Sequence, residues 1–183
     1  FFRDDDSLYN NNSFIQGWNT QAGLFDVSTM GNGASNSAVV ACMQTLAMSF
    51  SEATLMVKNF DDDGLQQVLN NHPFTILMRR PNPYMSGDIV QQYIINAMHI
   101  SGDAYLIKQK NNAGQVVALY PLMPEQVEPK GNDDELITHY EYETNNKKIM
   151  VMPNDMVHIR LGLDQTNHRK GFAPLRSVLR EIY

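Results

Sequence analysis

The chain has 183 residues, a formal charge of −6 and one cysteine. That length supports one moderate domain, or two small ones, with a core of its own. The acidic balance argues against tight, sequence-independent DNA binding, which relies on Lys and Arg at phosphates; one cysteine excludes an intrachain disulfide, and no apolar run reaches the roughly 20 residues that span a bilayer.

Residues 1–33 are rich in Asn, Asp, Ser and Gly, with scattered aromatics at Phe14, Trp18 and Phe25. This composition predicts a flexible N-terminal arm ahead of a single domain over 34–183. From Ser35, Val39, Cys42, Met43, Leu46, Ala47 and Phe50 recur at helical spacing, with Ser35 or Asn36 as the cap. On that stripe Cys42 is expected to be buried as a small hydrophobe. Ala53, Leu55 and Val57 alternate with Thr54, Met56 and Lys58, which predicts a short strand. Asp61-Asp62-Asp63-Gly64 is read as a turn that opens a helix through Leu65, Val68 and Leu69. His72-Pro73 starts another short helix, which Pro81-Asn82-Pro83 ends.

The clearest helix spans 86–100. Ile89, Val90, Tyr93, Ile94, Ala97 and Met98 share one face, Ser86 is the cap and Gly102 the stop. Beyond Gly102 the period changes from helical to alternating. Strands are expected over 104–108, 116–122, 136–143, 148–152 and 157–161, with hairpin turns at Asn111-Asn112-Ala113-Gly114 and Thr144-Asn145-Asn146. Pro121, Pro124 and Pro129 restrict their segment to a sheet edge or break it into short pieces. The fold class expected is α+β: short N-terminal helices on a small, mainly antiparallel sheet, followed by a C-terminal helix.

Pro153 to Tyr183 holds the pattern together. Val157, Ile159 and Leu161 alternate with Met156, His158 and Arg160, and a polar loop runs from Asp164 to Lys170. Gly171-Phe172-Ala173-Pro174 then turns into a helix marked by Leu175, Val178, Leu179 and Ile182. We expect a structural joint here: Gly171 for the turn, Pro174 in the first helical turn, and Leu175 for packing back onto the domain. From Thr144 onward seven basic residues face three acidic ones, a local charge of +4, which leaves −10 for the rest of the −6 chain.

Catalytic chemistry is not evident. The five histidines, His72, His99, His139, His158 and His168, show no metal-ligand spacing. His158 shares a strand face with Met156 and Arg160 and is expected on the sheet surface. Asp155 with His158 lacks a nucleophile and oxyanion donors, so it makes no acid–base case. No catalytic, cofactor or metal residue is assigned, and none is assigned to face DNA.

A resemblance adds to this reading. An acidic residue, Val157-His158-Ile159-Arg160, a polar loop and Gly171-Phe172-Ala173-Pro174-Leu175 follow in an order that resembles the portal proteins of tailed bacteriophages. Arg80-Pro81-Asn82-Pro83-Tyr84-Met85-Ser86, Gly102-Asp103-Ala104-Tyr105-Leu106-Ile107 and Leu119-Tyr120-Pro121-Leu122 agree in the same order. The resemblance implies a non-enzymatic subunit of a dodecameric ring at one capsid vertex of the virion, assembled in the host cytoplasm. It also implies a conduit for double-stranded DNA in packaging and ejection, without sequence specificity, cofactor or membrane. Implied partners are further copies of the chain, a terminase packaging motor, a major capsid or scaffolding protein, and a head–tail connector. The chain would be the wing-like part of a longer protein, with stem, clip and crown mainly beyond residue 183. The alternative is a metal-dependent, DNA-processing hydrolase domain that uses acidic residues as ligands.

Overall fold

The computed structural model describes residues 37–60, 64, 66–145 and 147–175. The N-terminal arm, the cap at Ser35 or Asn36, and all but the first residues of the C-terminal helix lie outside them. In chain order the elements are α1 (Ser37–Ser51), β1 (Lys58–Phe60), β2 (Gln66–Val68), α2 (Pro73–Arg79), α3 (Gly87–Ser101) and β3 (Asp103–Lys110). Then come β4 (Val116–Leu122), β5 (Val127–Lys130), β6 (His139–Thr144), β7 (Lys147–Val151) and β8 (Met156–Arg160). Helices precede antiparallel sheets, and the class is α+β.

β3 is the centre of the molecule. It pairs antiparallel with β4 on one side and β8 on the other, giving the sheet order β4-β3-β8. A second antiparallel sheet has the order β5-β6-β7. Successive strand residues point to opposite faces, and β3 uses both. Ala104 and Leu106 face Val90, Tyr93, Ile94 and Ala97 of α3. Tyr105, with Ile107 packed beside it, faces Val127, Tyr140, Tyr142 and Val151 of the second sheet. The described core is therefore three layers, one helix and two sheets. Burying a side chain of this size contributes roughly 1.5–3 kcal/mol, so the two faces of β3 carry much of the stability.

The periodicity of α3 accounts for its place against the sheet. Val90, Tyr93, Ile94 and Ala97 are buried on one stripe, whereas Ile89 at its margin is exposed. Ser86 occupies the cap in extended backbone, and Gly102 ends the helix in the left-handed region at φ 85°. α2 opens as expected: His72 caps it by accepting from the Phe74 N–H, with Pro73 in the first turn. Between α2 and α3 the buried Asn82 donates to the Leu119 carbonyl at 2.9 Å and accepts the Tyr84 and Met85 N–H groups. One side chain thus fixes the α2–α3 connection to β4.

Four expectations need correction. The segment 53–57 is not a strand; pairing begins at Lys58. The helix expected around Leu65 to Leu69 is instead β2, which pairs with β1 from Lys58↔Val68 to Phe60↔Gln66. A three-residue element is too short to display a period, and an Asp-Gly turn serves a hairpin as readily as a helix start. Cys42 is exposed, because α1 contacts α3 along a narrow line on which Ala47 is buried while Leu46, Met48 and Phe50 are not. Finally, 127–130 forms β5, which the prolines obscured; it is an edge strand, and Pro129 sits opposite Tyr140.

Candidate functional site

The densest polar arrangement among the described residues lies where α3 ends, β3 begins and the chain leaves β8. Gly102 caps α3, and its carbonyl accepts the Leu161 N–H at 2.9 Å. The chain then makes a loop braced from within. Asp164 accepts the N–H groups of Thr166 and Asn167, and the Asp164 N–H donates to the Lys170 carbonyl. The loop closes where the Phe172 N–H donates to the Leu161 carbonyl at 2.8 Å. Gly171 is therefore pressed against Gly102.

The contact between these two glycines is close. A Cβ on Gly171 would lie 2.0 Å from the Gly102 carbonyl oxygen, and a Cβ on Gly102 would lie 2.3 Å from the Gly171 oxygen. The φ of Gly171 is outside the left-handed region. Its glycine thus answers to space, and the positive φ of this corner belongs to Gly102. Pro174 and Leu175 are partly buried and begin a helical segment at the end of the described residues.

Beneath the glycines lies a buried ion-pair geometry. The Asp103 and His158 side chains are 4% and 6% exposed, and His158 Nε2 lies 2.8 Å from Asp103 Oδ1. The same Oδ1 accepts the Gly171 N–H at 2.8 Å. An ionised carboxylate only accepts, so Nε2 carries a proton. In the neutral ring Nδ1 then accepts the Tyr140 hydroxyl at 3.3 Å. Tyr105 stacks on the imidazole at a centroid distance of 4.4 Å, and Tyr140 meets it edge-on. His158 is thus not on the sheet surface. Its face of β8 is the one the second sheet covers, and a strand's alternation does not reveal what covers each face.

Other sequence-level candidates are spread apart. Asp155 pairs with Lys110 at 2.6 Å rather than with His158. His72 caps α2, His99 reaches the Ile95 carbonyl, and His139 meets Thr138. Among the described residues no three His, Cys, Asp or Glu side chains converge to hold a metal, and no helix is long and apolar enough to cross a membrane. Two basic residues of the braced loop reach the second sheet: Arg169 donates to the Leu136 carbonyl, and Lys170 meets Glu128 at 2.6 Å.

The phage portal protein family model matches residues 37–183. The chain belongs to that family. No curated protein matches the sequence. Among solved structures, a chain in the neck of an empty GTA particle, computed with C6 symmetry, is 19% identical with a TM-score of 0.70. That match covers 84% of this chain and 41% of the other. A chain in the virion of a native gene transfer agent (GTA) particle is 20% identical, TM-score 0.65, covering 82% of this chain and 39% of that one. A chain in the neck of a native GTA particle, computed with C12 symmetry, is 19% identical at 0.64, again covering 82% and 39%. This chain spans about two fifths of the length of those chains. All described residues of this portal-family chain, the Gly102–Gly171 contact included, lie inside the family match.

Tyrosine burial in the portal-family domain has a measurable consequence. Burial pushes the Tyr105 phenol far above its ordinary value, and the Asp103 charge adds to the effect. Burial likewise raises Tyr93, Tyr120, Tyr140 and Tyr142; the backbone of Tyr105 opposes it at Tyr93, and Arg160 opposes it at Tyr140. A phenol whose folded-state pKa is raised favours the neutral form, so its contribution is complete below the unfolded value of about 10 and is lost as pH rises beyond it. Alkaline titration should therefore show phenolate absorbance for these residues appearing together with unfolding. Smooth ionisation near pH 10 with the fold retained would contradict the buried placement.

Proposed function

We propose that this chain is the wing-like α+β part of a portal subunit, one of a ring of twelve at a single vertex of a phage-like capsid. In this reading the ring passes double-stranded DNA during packaging and ejection, and it docks a packaging motor on one side and a head–tail connector on the other. The family match carries the reading. The fold likeness to chains from a GTA neck, one computed with C12 symmetry, supports it. The part played by the chain is geometric, with no chemistry of its own: ATP hydrolysis belongs to the motor, and an acidic chain suits a conduit that should not hold phosphate.

The surface supports a subunit with neighbours. Closed rings use head-to-tail contacts between two different patches of each copy. Leu46, Met48 and Phe50 of α1, Phe60 of the hairpin, and Phe74 and Ile76 of α2 are all exposed. Large apolar side chains left in water on these N-terminal elements suit burial against a neighbouring copy. Electron microscopy of the full-length protein is expected to show closed rings with a central hole. A protein that stays monomeric at every concentration, or whose DNA cleavage depends on a divalent metal, would overturn the reading and favour the hydrolase alternative.

A further inference from the structure

We propose that Asp103 is a positioning residue for the outgoing chain. It is a buried pin that fixes the direction in which the polypeptide leaves the sheet at Gly171, and His158 holds the pin in place. The inference deepens the portal reading and rests on it only for the consequence in a ring.

The exit meets the corner of α3 and β3 at Gly171. After β8 the chain travels through the braced loop and returns to the sheet at Leu161 and Gly102. Phe172 is held by one backbone hydrogen bond to Leu161, a neighbour that belongs to the same loop. Leu161 is held in turn by Gly102. The Gly171 N–H is the point where the exit meets the corner of α3 and β3 directly, and its acceptor is the Asp103 carboxylate. The loop's two ties to the second sheet, from Arg169 and Lys170, are long-chain contacts at exposed or partly exposed positions. Such contacts steer weakly, since flexible charged side chains gain little in water.

Asp103 itself has little freedom. Its Oδ1 accepts from His158 Nε2 and from the Gly171 N–H at 2.8 Å each. His158 is clamped between the stacked Tyr105 ring and the edge-on Tyr140 ring, with the Tyr140 hydroxyl on its second nitrogen. The carboxylate is thus oriented by an imidazole that is itself oriented by both sheets. A shift of the second sheet relative to the first would move Tyr140, then His158, then Asp103, and finally the exit at Gly171. An apolar core could fill this volume at lower desolvation cost. What it would not supply is an acceptor aimed at one backbone N–H, and that aim specifies the exit.

Amide exchange on the intact protein tests the pin without a variant. The Gly171 amide is expected to exchange as slowly as the central amides of β3, and at least about a hundredfold more slowly than exposed loop amides. Exchange at the loop rate would overturn the proposal. Asp103→Ala is expected to raise trypsin cleavage after Arg169 and Lys170 by about tenfold or more over cleavage elsewhere in the chain, because local opening sets that rate. Asp103→Asn keeps an acceptor oxygen in place and should restore wild-type cleavage within about twofold. If the Asn protein behaves like the Ala protein, or if cleavage rises uniformly, Asp103 is an ordinary structural residue. The full-length Asp103→Ala protein is expected to give open or irregular assemblies where Asp103→Asn gives rings. Regular rings from Asp103→Ala would overturn the link between pin and ring. Absence of rings in the unaltered protein would instead refute the portal reading and leave the exchange result standing.

Discussion

Replacing Gly171 with alanine is expected to destabilise the domain by about 3–5 kcal/mol, among the largest effects of any single substitution here. The added methyl would sit 2.0 Å from the Gly102 carbonyl oxygen and 3.0 Å from the Leu161 nitrogen. Both neighbours are backbone, so no side chain can rotate aside to relieve the overlap. The exit segment must separate from the corner, and with it goes the Gly171 hydrogen bond to Asp103. Valine at the same place should do no better, because the obstruction is met at Cβ before any branching matters. Urea unfolding of the wild-type and Gly171→Ala proteins measures the difference. A midpoint shift equivalent to less than about 1 kcal/mol would mean that the two glycine segments part easily, and that their contact does not organise the joint.

The second large effect concerns the pair beneath that contact. His158→Leu should cost about 3–5 kcal/mol, because it leaves the buried Asp103 carboxylate with the Gly171 N–H as its remaining described partner. Asp103→Leu should cost a similar amount by orphaning the His158 Nε2–H and the Gly171 N–H. The two losses should not add. With both groups replaced by leucine the interior charge is gone, and the double variant should be more stable than the sum of the singles by about 2 kcal/mol or more. A double-mutant cycle from urea unfolding gives this coupling. Additive losses would show that the two side chains act independently despite their 2.8 Å separation.

How much of this was legible in the sequence depended on range. α3 could be read because fifteen residues repeat one spacing between a serine cap and a glycine stop. β3, β4, β6, β7 and β8 could be read because each is a run of five or more β-prone residues set off by glycine, proline or asparagine turn signals. β2 reads as a helix in the sequence, and β1 as a strand placed a few residues early, because three-residue strands carry no period. β5 was lost among prolines that are tolerated only because it is an edge. Burial was harder to read than secondary structure. Cys42 sits at a helical position that predicts burial, yet α1 touches its neighbour too narrowly to cover it. His158 carried the opposite error, since its strand face is covered by a sheet that alternation cannot announce. The Asp103–His158 pair joins residues 55 positions apart, and no local signal links them. The place of Gly171 after a polar loop marks it as a joint, but the partner that requires a glycine there, Gly102, emerges only from the fold.

The placement of β3 between β4 and β8 also sets an order of events. β3 and β4 are joined by a tight turn in which Asn111 accepts the Ala113 and Gln115 N–H groups, so this hairpin closes locally and quickly. β8 must reach the other edge of β3, pairing Asp103 with Arg160, after the whole of the second sheet has been synthesised. The entropy of closing that long excursion grows only slowly with its length. The strands β5 to β7 therefore behave as an insert, whose own short hairpins can form before it is folded back. Lengthening its turns, at the loop around Asn132 or the turn at Asn145, adds little to the closure cost. The β6–β7 turn at Asn145 lies at the end of the second sheet opposite the β5–β6 loop that Arg169 grips at Leu136, so it is where this architecture can take up new sequence with least disturbance to the corner from which the chain departs.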